Sequence, residues 1–171
     1  MNLVLTGFMG AGKTTTGRHL ARLLKVPFFD SDVEIERERG PIAEIFASVG
    51  EVGFRKFETS VIERLSAAQS CVIAVGGGAV VSPHNRRLLR RNGVIVHLCV
   101  SAATAHARIA RRGHRPLLGS TPDLDSVRTL MQQRAAAYAD NDFRVRVDGK
   151  STPAIARDIA GWFERRQNGG R

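Results

Sequence analysis

A chain of 171 residues holds one domain with a substantial core and falls short of two ordinary ones. Its 43% hydrophobic and 25% charged residues exclude a disordered segment, and no apolar run approaches the ~20 residues needed to cross a bilayer. The 26 Lys and Arg against 16 Asp and Glu, a formal charge of +10, point to anionic partners; with only 6% aromatic residues and no nucleic-acid-binding motif, those partners are expected to be small molecules and not nucleic acid.

Asn2 to Thr6 predicts a short apolar strand. With no basic stretch before it, this start reads as a strand and not a signal sequence, so a cytoplasmic protein without a membrane partner is expected. The strand runs into GFMGAGKT, residues 7–14, a full match to G-x-x-x-x-G-K-[ST] with a helical stripe (Gly17, Leu20, Ala21, Leu24) behind it. Such a loop turns its backbone N–H groups toward phosphate oxygens. Gly10, Ala11, Gly12, Lys13, Thr14 and Thr15 are therefore the candidate nucleotide-binding residues, with Lys13 reaching the outer phosphates and the Thr14 hydroxyl available to Mg²⁺.

Pro27 to Phe29 predicts a second strand, closing on FFDSD. Asp30 and Asp32 lie at the carboxyl edge of the sheet, where a parallel sheet exposes its site. Being two apart they can point differently, one serving a metal through water and the other an acceptor hydroxyl; a helix cap at Asp30 or Ser31 is the alternative. A polar, helix-rich stretch follows from Ser31 to Ala68. The third strand, Val72 to Val75, ends on Gly76 where many nucleotide hydrolases place a magnesium-holding aspartate. Gly76, Gly77 and Gly78 then leave bare backbone for a second substrate that any Cβ would obstruct.

Ser82 and Pro83 open a helix whose Arg86, Arg87, Arg90 and Arg91 read as a solvated face. Gly93 to Val100 predicts a fourth strand, and Ser101 opens the next helix. The loop from Gly113 to Asp123 breaks the rhythm, Phe143 to Val147 predicts a fifth strand, and Thr152 with Pro153 opens a last helix with Ile155, Ile159, Trp162 and Phe163 on one face. Cys71 and Cys99 read as buried free thiols, and the five histidines as structural. Near-continuous apolar strands alternating with helices predict an α/β fold, a mostly parallel five-stranded sheet covered on both faces.

Several of these motifs together resemble the shikimate kinase family over nearly the whole chain. GFMGAGKTTTG is similar to its phosphate loop, FFDSD to its acidic pair, GFRKFE (residues 53–58) to its substrate helix, VGGGAV to its glycine run, RPLL (residues 115–118) to its lid, and QQRAAAY (residues 132–138) to a later helix that returns an arginine to the substrate. The resemblance implies a single P-loop kinase domain over residues 1–171, nucleoside-monophosphate-kinase-like, with a substrate-binding segment at about 31–68 and a mobile lid at about 113–123. It implies transfer of the γ-phosphate of ATP to the 3-hydroxyl of shikimate with Mg²⁺, by a monomer.

By position, the resemblance gives Asp32 the attacking hydroxyl and Asp30 the water around Mg²⁺. Arg55 and Arg134 clamp the substrate carboxylate, Glu58 braces Arg55, and Gly77 and Gly78 line the substrate floor. Arg115 comes in with the lid as a catalytic cation beside Lys13 and Asp32, and Arg108 and Pro153 flank adenine. A gluconate kinase on the same scaffold, and a silent nucleotide- or nucleic-acid-binding module, are the alternative readings.

Overall fold

The structure is a computed structural model, and it describes residues 1–111 and 122–169. Five strands form one sheet: β1 (Asn2–Thr6), β2 (Phe28–Asp30), β3 (Val72–Ala74), β4 (Gly93–Cys99) and β5 (Phe143–Arg146). Their order is β2-β3-β1-β4-β5 and every neighbouring pair is parallel, with Leu3 opposite Val72 on one side and Val94 on the other. All five residues of β1 are buried, which requires cover on both faces of the sheet and accounts for its unbroken apolar sequence. The predicted strands fall within one residue of these bounds at each end.

The helices are α1 (Lys13–Leu24), α2 (Ser31–Arg39), α3 (Ile42–Ala67), α4 (Pro83–Arg91), α5 (Ala102–Ala110), α6 (Leu124–Ala139) and α7 (Thr152–Gln167), with a 3₁₀ turn at Ala79–Val81. Ser82 and Ser101 cap α4 and α5 through their side chains, as their position before the helical runs predicts. In α7 the cap is Ser151, one residue ahead of the expected start, because its side-chain oxygen reaches the Ala154 N–H and so supplies the missing acceptor. The helix buries Ile155, Ile159 and Phe163, while Trp162 stacks on Phe143 with ring centroids 4.7 Å apart. None of the described helices is long and apolar enough to cross a membrane.

Two surface expectations change. Arg86 and Arg90 are not a solvated face: Arg86 donates to Asp140 at 2.9 Å and to the Val80 carbonyl at 2.6 Å, and Arg90 pairs with Asp140 and Asp142. Planar guanidinium forks here tie α4 and the 3₁₀ turn to the end of α6. Cys71 is buried, but Cys99 is half-buried at the end of β4, where its sulfur accepts from Arg144 at 3.0 Å.

Candidate active site

The phosphate loop is built by φ angles that only glycine adopts freely. Gly10 sits at φ 82° and Gly12 at φ 88°, and Gly12 caps α1 without any side-chain bond. The first turn of α1 carries no acidic residue. The positive end of its dipole and its unpaired N–H groups are thereby left for an anion. Lys13 folds back over the loop, its ammonium donating to the carbonyls of Gly7 at 2.8 Å and Phe8 at 3.2 Å. Gly10, Gly12 and Lys13, with Thr14 and Thr15, line a cavity of about 190 Å³ that also takes in Asp30, Asp32 and Gly77. Ala11 is buried under the loop and contributes backbone alone.

Asp30 takes the helix-cap role that its position left open and also meets Thr14. One carboxylate oxygen caps α2 by accepting the Asp32 N–H at 3.1 Å, and the other accepts the Thr14 hydroxyl at 2.6 Å. Thr14 and Asp30 thus offer two hard oxygens beside the phosphate loop, a donor set suited to Mg²⁺ shared with phosphates. Among the described residues no group of three or more His, Cys, Asp or Glu forms a metal cluster by itself.

Next to this cavity lies a second one, lined by Asp32, Phe46, Phe54, Arg55, Glu58, Arg134 and the three glycines. Met9, Asp32 and Gly77 line both cavities, so they meet at those residues. Arg55 donates to Glu58 at 2.8 Å and to Glu51 at 2.9 Å, and its guanidinium lies 5.4 Å from the Phe54 ring. Glu58 is 1% exposed. Burial holds the Glu58 carboxyl above the ordinary carboxylate value; Arg55 opposes the rise and Asp32 adds to it. The pair is therefore more than a solvated i, i+3 contact.

Arg134 is buried and its Nη1 has no hydrogen-bond partner. Its guanidinium lies 5.8 Å from the ring of Phe8. A buried, unsatisfied cationic N–H is costly and calls for an anionic group in the cavity it lines.

None of Gly76, Gly77 and Gly78 has a positive φ, so what they provide is space. A Cβ on Gly76 would stand 2.7 Å from Asp32 and 3.0 Å from Glu58, and one on Gly78 would stand 2.5 Å from the Arg55 guanidinium. The Gly76 N–H donates to Ser31 Oγ at 2.9 Å, so Gly76 shapes the pocket without offering it an N–H. At Gly77 the carbonyl accepts from Tyr138 at 2.5 Å.

Ser31 and Tyr138 hold the site in roles that the sequence did not point to, and Met9 and Phe46 line it without having been singled out. Ser31 is enclosed between the two aspartates of FFDSD, and Tyr138, the chain's single tyrosine, lies four residues after Arg134 on the same helical face; those placements were the available signals. Arg108 donates to the Gly10 carbonyl at 2.8 Å, which puts its guanidinium at the back of the phosphate loop. Pro153 lies exposed in the first turn of α7. Asp148, before that turn, accepts the Ser101 N–H at 3.0 Å and hydroxyl at 2.7 Å, clipping the α7 approach to the start of α5. Arg115 and the lid up to residue 121 lie outside the described residues.

Comparisons with known proteins identify the family and the fold. The family model described as "Shikimate kinase" matches residues 9–164. The shikimate kinase of Geobacter metallireducens is 40% identical over 96% of this chain and 93% of its own, and that of Hahella chejuensis is 45% identical over 92% and 83%. The solved shikimate kinase of Acinetobacter baumannii in complex with shikimate superposes with a TM-score of 0.92 at 38% identity, covering 96% of this chain and 93% of that one. A gluconokinase from Sinorhizobium meliloti reaches a TM-score of 0.63 at 17% identity, a likeness of fold alone. The chain belongs to the shikimate kinase family.

Proposed function

We propose that this chain transfers the γ-phosphoryl group of ATP to the 3-hydroxyl of shikimate, giving shikimate 3-phosphate and ADP. The observation that carries the reading is the adjoining cavity, where buried Arg134, with an unpartnered Nη1, and Arg55, braced by buried Glu58, face the same space as Asp32. Two guanidinium groups fit a carboxylate, and one carboxylate fits a hydroxyl. An acceptor bearing both an acid and an alcohol satisfies the set. The relatives named shikimate kinase, and the neighbour solved with shikimate, support that choice.

In this reading the phosphate chain lies on the loop of Gly10 to Thr15, and Lys13 exchanges its hold on the Gly7 and Phe8 carbonyls for the outer phosphates. Asp32 orients the acceptor hydroxyl and takes its proton as the oxygen attacks phosphorus and the bond from phosphorus to the ADP oxygen breaks. Thr14 and Asp30 would hold Mg²⁺, whose chemistry is to neutralise charge on the phosphate oxygens. Arg108 and Pro153 are assigned to the adenine side. Arg115, assigned from the RPLL motif, adds a cation to the transferring group when the lid over residues 113–123 closes. Every group named belongs to one chain, so a monomer suffices.

A steady-state assay with ATP over shikimate, gluconate and nucleoside monophosphates tests the reading. Turnover is expected with shikimate and to collapse in Lys13→Ala, with the far-ultraviolet circular dichroism unchanged. Preference for gluconate, or near-normal turnover in Lys13→Ala, would overturn it.

A further inference from the structure

A third cavity, of about 250 Å³, lies between β4 and α6 and takes no part in the chemistry above. Its body is apolar, walled by Leu98, Val100, Met131 and the Phe8 ring. Of the polar groups in that lining, the Tyr138 hydroxyl and the Asn141 amide already donate to backbone carbonyls, which leaves His97 and Arg144. His97 is 8% exposed and its Nδ1 has no hydrogen-bond partner, although its ring stacks on Tyr138 at 4.8 Å between centroids. Arg144, exposed on the edge strand β5, forms no ion pair among the described residues and spends one N–H on the Cys99 sulfur. An unsatisfied buried nitrogen inside an apolar cavity, with an exposed guanidinium free of any ion pair at its rim, matches a compact apolar molecule carrying a carboxylate.

Two of the walls belong to the active site. Phe8 is in the phosphate loop, lies under Arg134 and gives its carbonyl to Lys13. Tyr138 holds the Gly77 carbonyl and shares α6 with Arg134. An occupant resting on Phe8 and Tyr138 therefore presses on the loop that cradles phosphate and on the floor and clamp of the acceptor pocket. Ligands that bias the same element are linked in free energy, and the linkage is reciprocal.

We propose that this cavity is a regulatory site for a small carboxylic acid with an apolar body, with Arg144 and His97 as its polar contacts and Phe8 and Tyr138 as the groups that report its occupancy to the substrates. The site is independent of which acceptor the kinase uses, since binding can be read without turnover.

The test is an NMR titration of the full chain with 3-phenylpropanoate and with the neutral 3-phenylpropanol, the acceptor pocket being saturated with shikimate. The acid is expected to bind about tenfold or more tightly than the alcohol, the worth of one charge-assisted contact, with shifts centred on β4 and α6. Arg144→Ala and Arg144→Gln should abolish that preference, Ala135→Trp should exclude both probes, and Arg55→Ala should leave acid binding intact. In steady state the acid should shift the KM for shikimate or ATP in wild type and not in Ala135→Trp. Loss of acid binding in Arg55→Ala with retention in Arg144→Ala would place the probe in the acceptor clamp and overturn the site. No binding up to the probe's solubility would overturn it too, and binding that moves neither KM would overturn the regulatory role.

Discussion

Gly76 and Gly78 are two residues apart and protect different partners. A methyl on Gly78 would overlap the Arg55 guanidinium at 2.5 to 2.9 Å, the far end of a side chain that can turn away. Gly78→Ala is therefore expected to displace one arm of the carboxylate clamp. It should raise the KM for shikimate about tenfold or more, from the loss of a charge-assisted contact of roughly 1.5 to 3 kcal/mol, with the KM for ATP held. A methyl on Gly76 meets the Asp32 and Glu58 carboxylates instead, so Gly76→Ala should fall mainly on kcat. If the two variants gave the same kinetic signature, the division of the pocket into clamp and base would be wrong. Tyr138 acts through another group: its hydroxyl fixes the Gly77 carbonyl, and burial raises its own pKa. Tyr138→Phe leaves that carbonyl unpaired, which costs about 1 to 3 kcal/mol. The expected outcome is a weaker shikimate KM, with the thermal midpoint lowered in proportion. The phosphate loop and the acidic pair were legible because phosphate and magnesium chemistry demands particular residue types at particular spacings, whereas Arg55 and Arg134 came with the family resemblance. The residues that hold these groups, such as Ser31 and Tyr138, were not legible, because a hydroxyl bound to a backbone group leaves no pattern of its own.

At the scale of the element, α3 carries the acceptor pocket across a break. Gly50 stands at φ 67°, ψ −176° within the Ile42–Ala67 helix, a conformation open only to glycine, with nothing within 4 Å of a built Cβ. The first part of the helix brings Ile42 and Phe46 to the pocket, and the second brings Phe54, Arg55 and Glu58. Phe46 and Phe54 meet across the break at 4.5 Å between ring centroids. Because space is free, Gly50→Ala isolates backbone strain: a loss of about 1 to 3 kcal/mol in urea unfolding is expected, together with a raised KM for shikimate as Arg55 is re-aimed. Unchanged stability would mean that the break is not enforced by this residue. Strand positions and the caps at Ser82 and Ser101 could be read from the sequence because burial on both faces and orphan helix N–H groups constrain residue type locally. The break at Gly50 could not, since Gly53, three residues on in the same SVGEVG stretch, stays helical and nothing local tells the two glycines apart. Nor could the grip of Arg86 and Arg90 on Asp140 and Asp142, since ion pairs about 50 residues apart in sequence form only once α4 and α6 are docked.

For the molecule as a whole, the formal charge of +10 leaves its mark in the core at His97. This ring lies on β4, stacked on Tyr138 of α6, and its pKa is lowered from 6.5 to about 4, first by burial and then by the cations Arg144 and Lys13. In the unfolded chain the same histidine titrates near its ordinary value. As pH falls below about 6.5 the unfolded state takes up the proton first, so stability that is fully present above that value is lost down to about pH 4, where the folded ring protonates as well. The full difference amounts to about 3 kcal/mol, a large share of what holds an ordinary domain folded. Phosphates arriving at Lys13 offset one of the two cations that depress the pKa. Bound nucleotide should therefore weaken the acid sensitivity beyond the stabilisation that binding alone brings. Urea unfolding midpoints across this pH range, with and without nucleotide, measure both effects. His97→Phe, which keeps the ring against Tyr138 and removes the titrating nitrogen, is expected to flatten the decline between pH 6.5 and about 4. An equally steep decline in that variant would mean that acid acts elsewhere in the fold and that His97 is not the group through which the core senses pH.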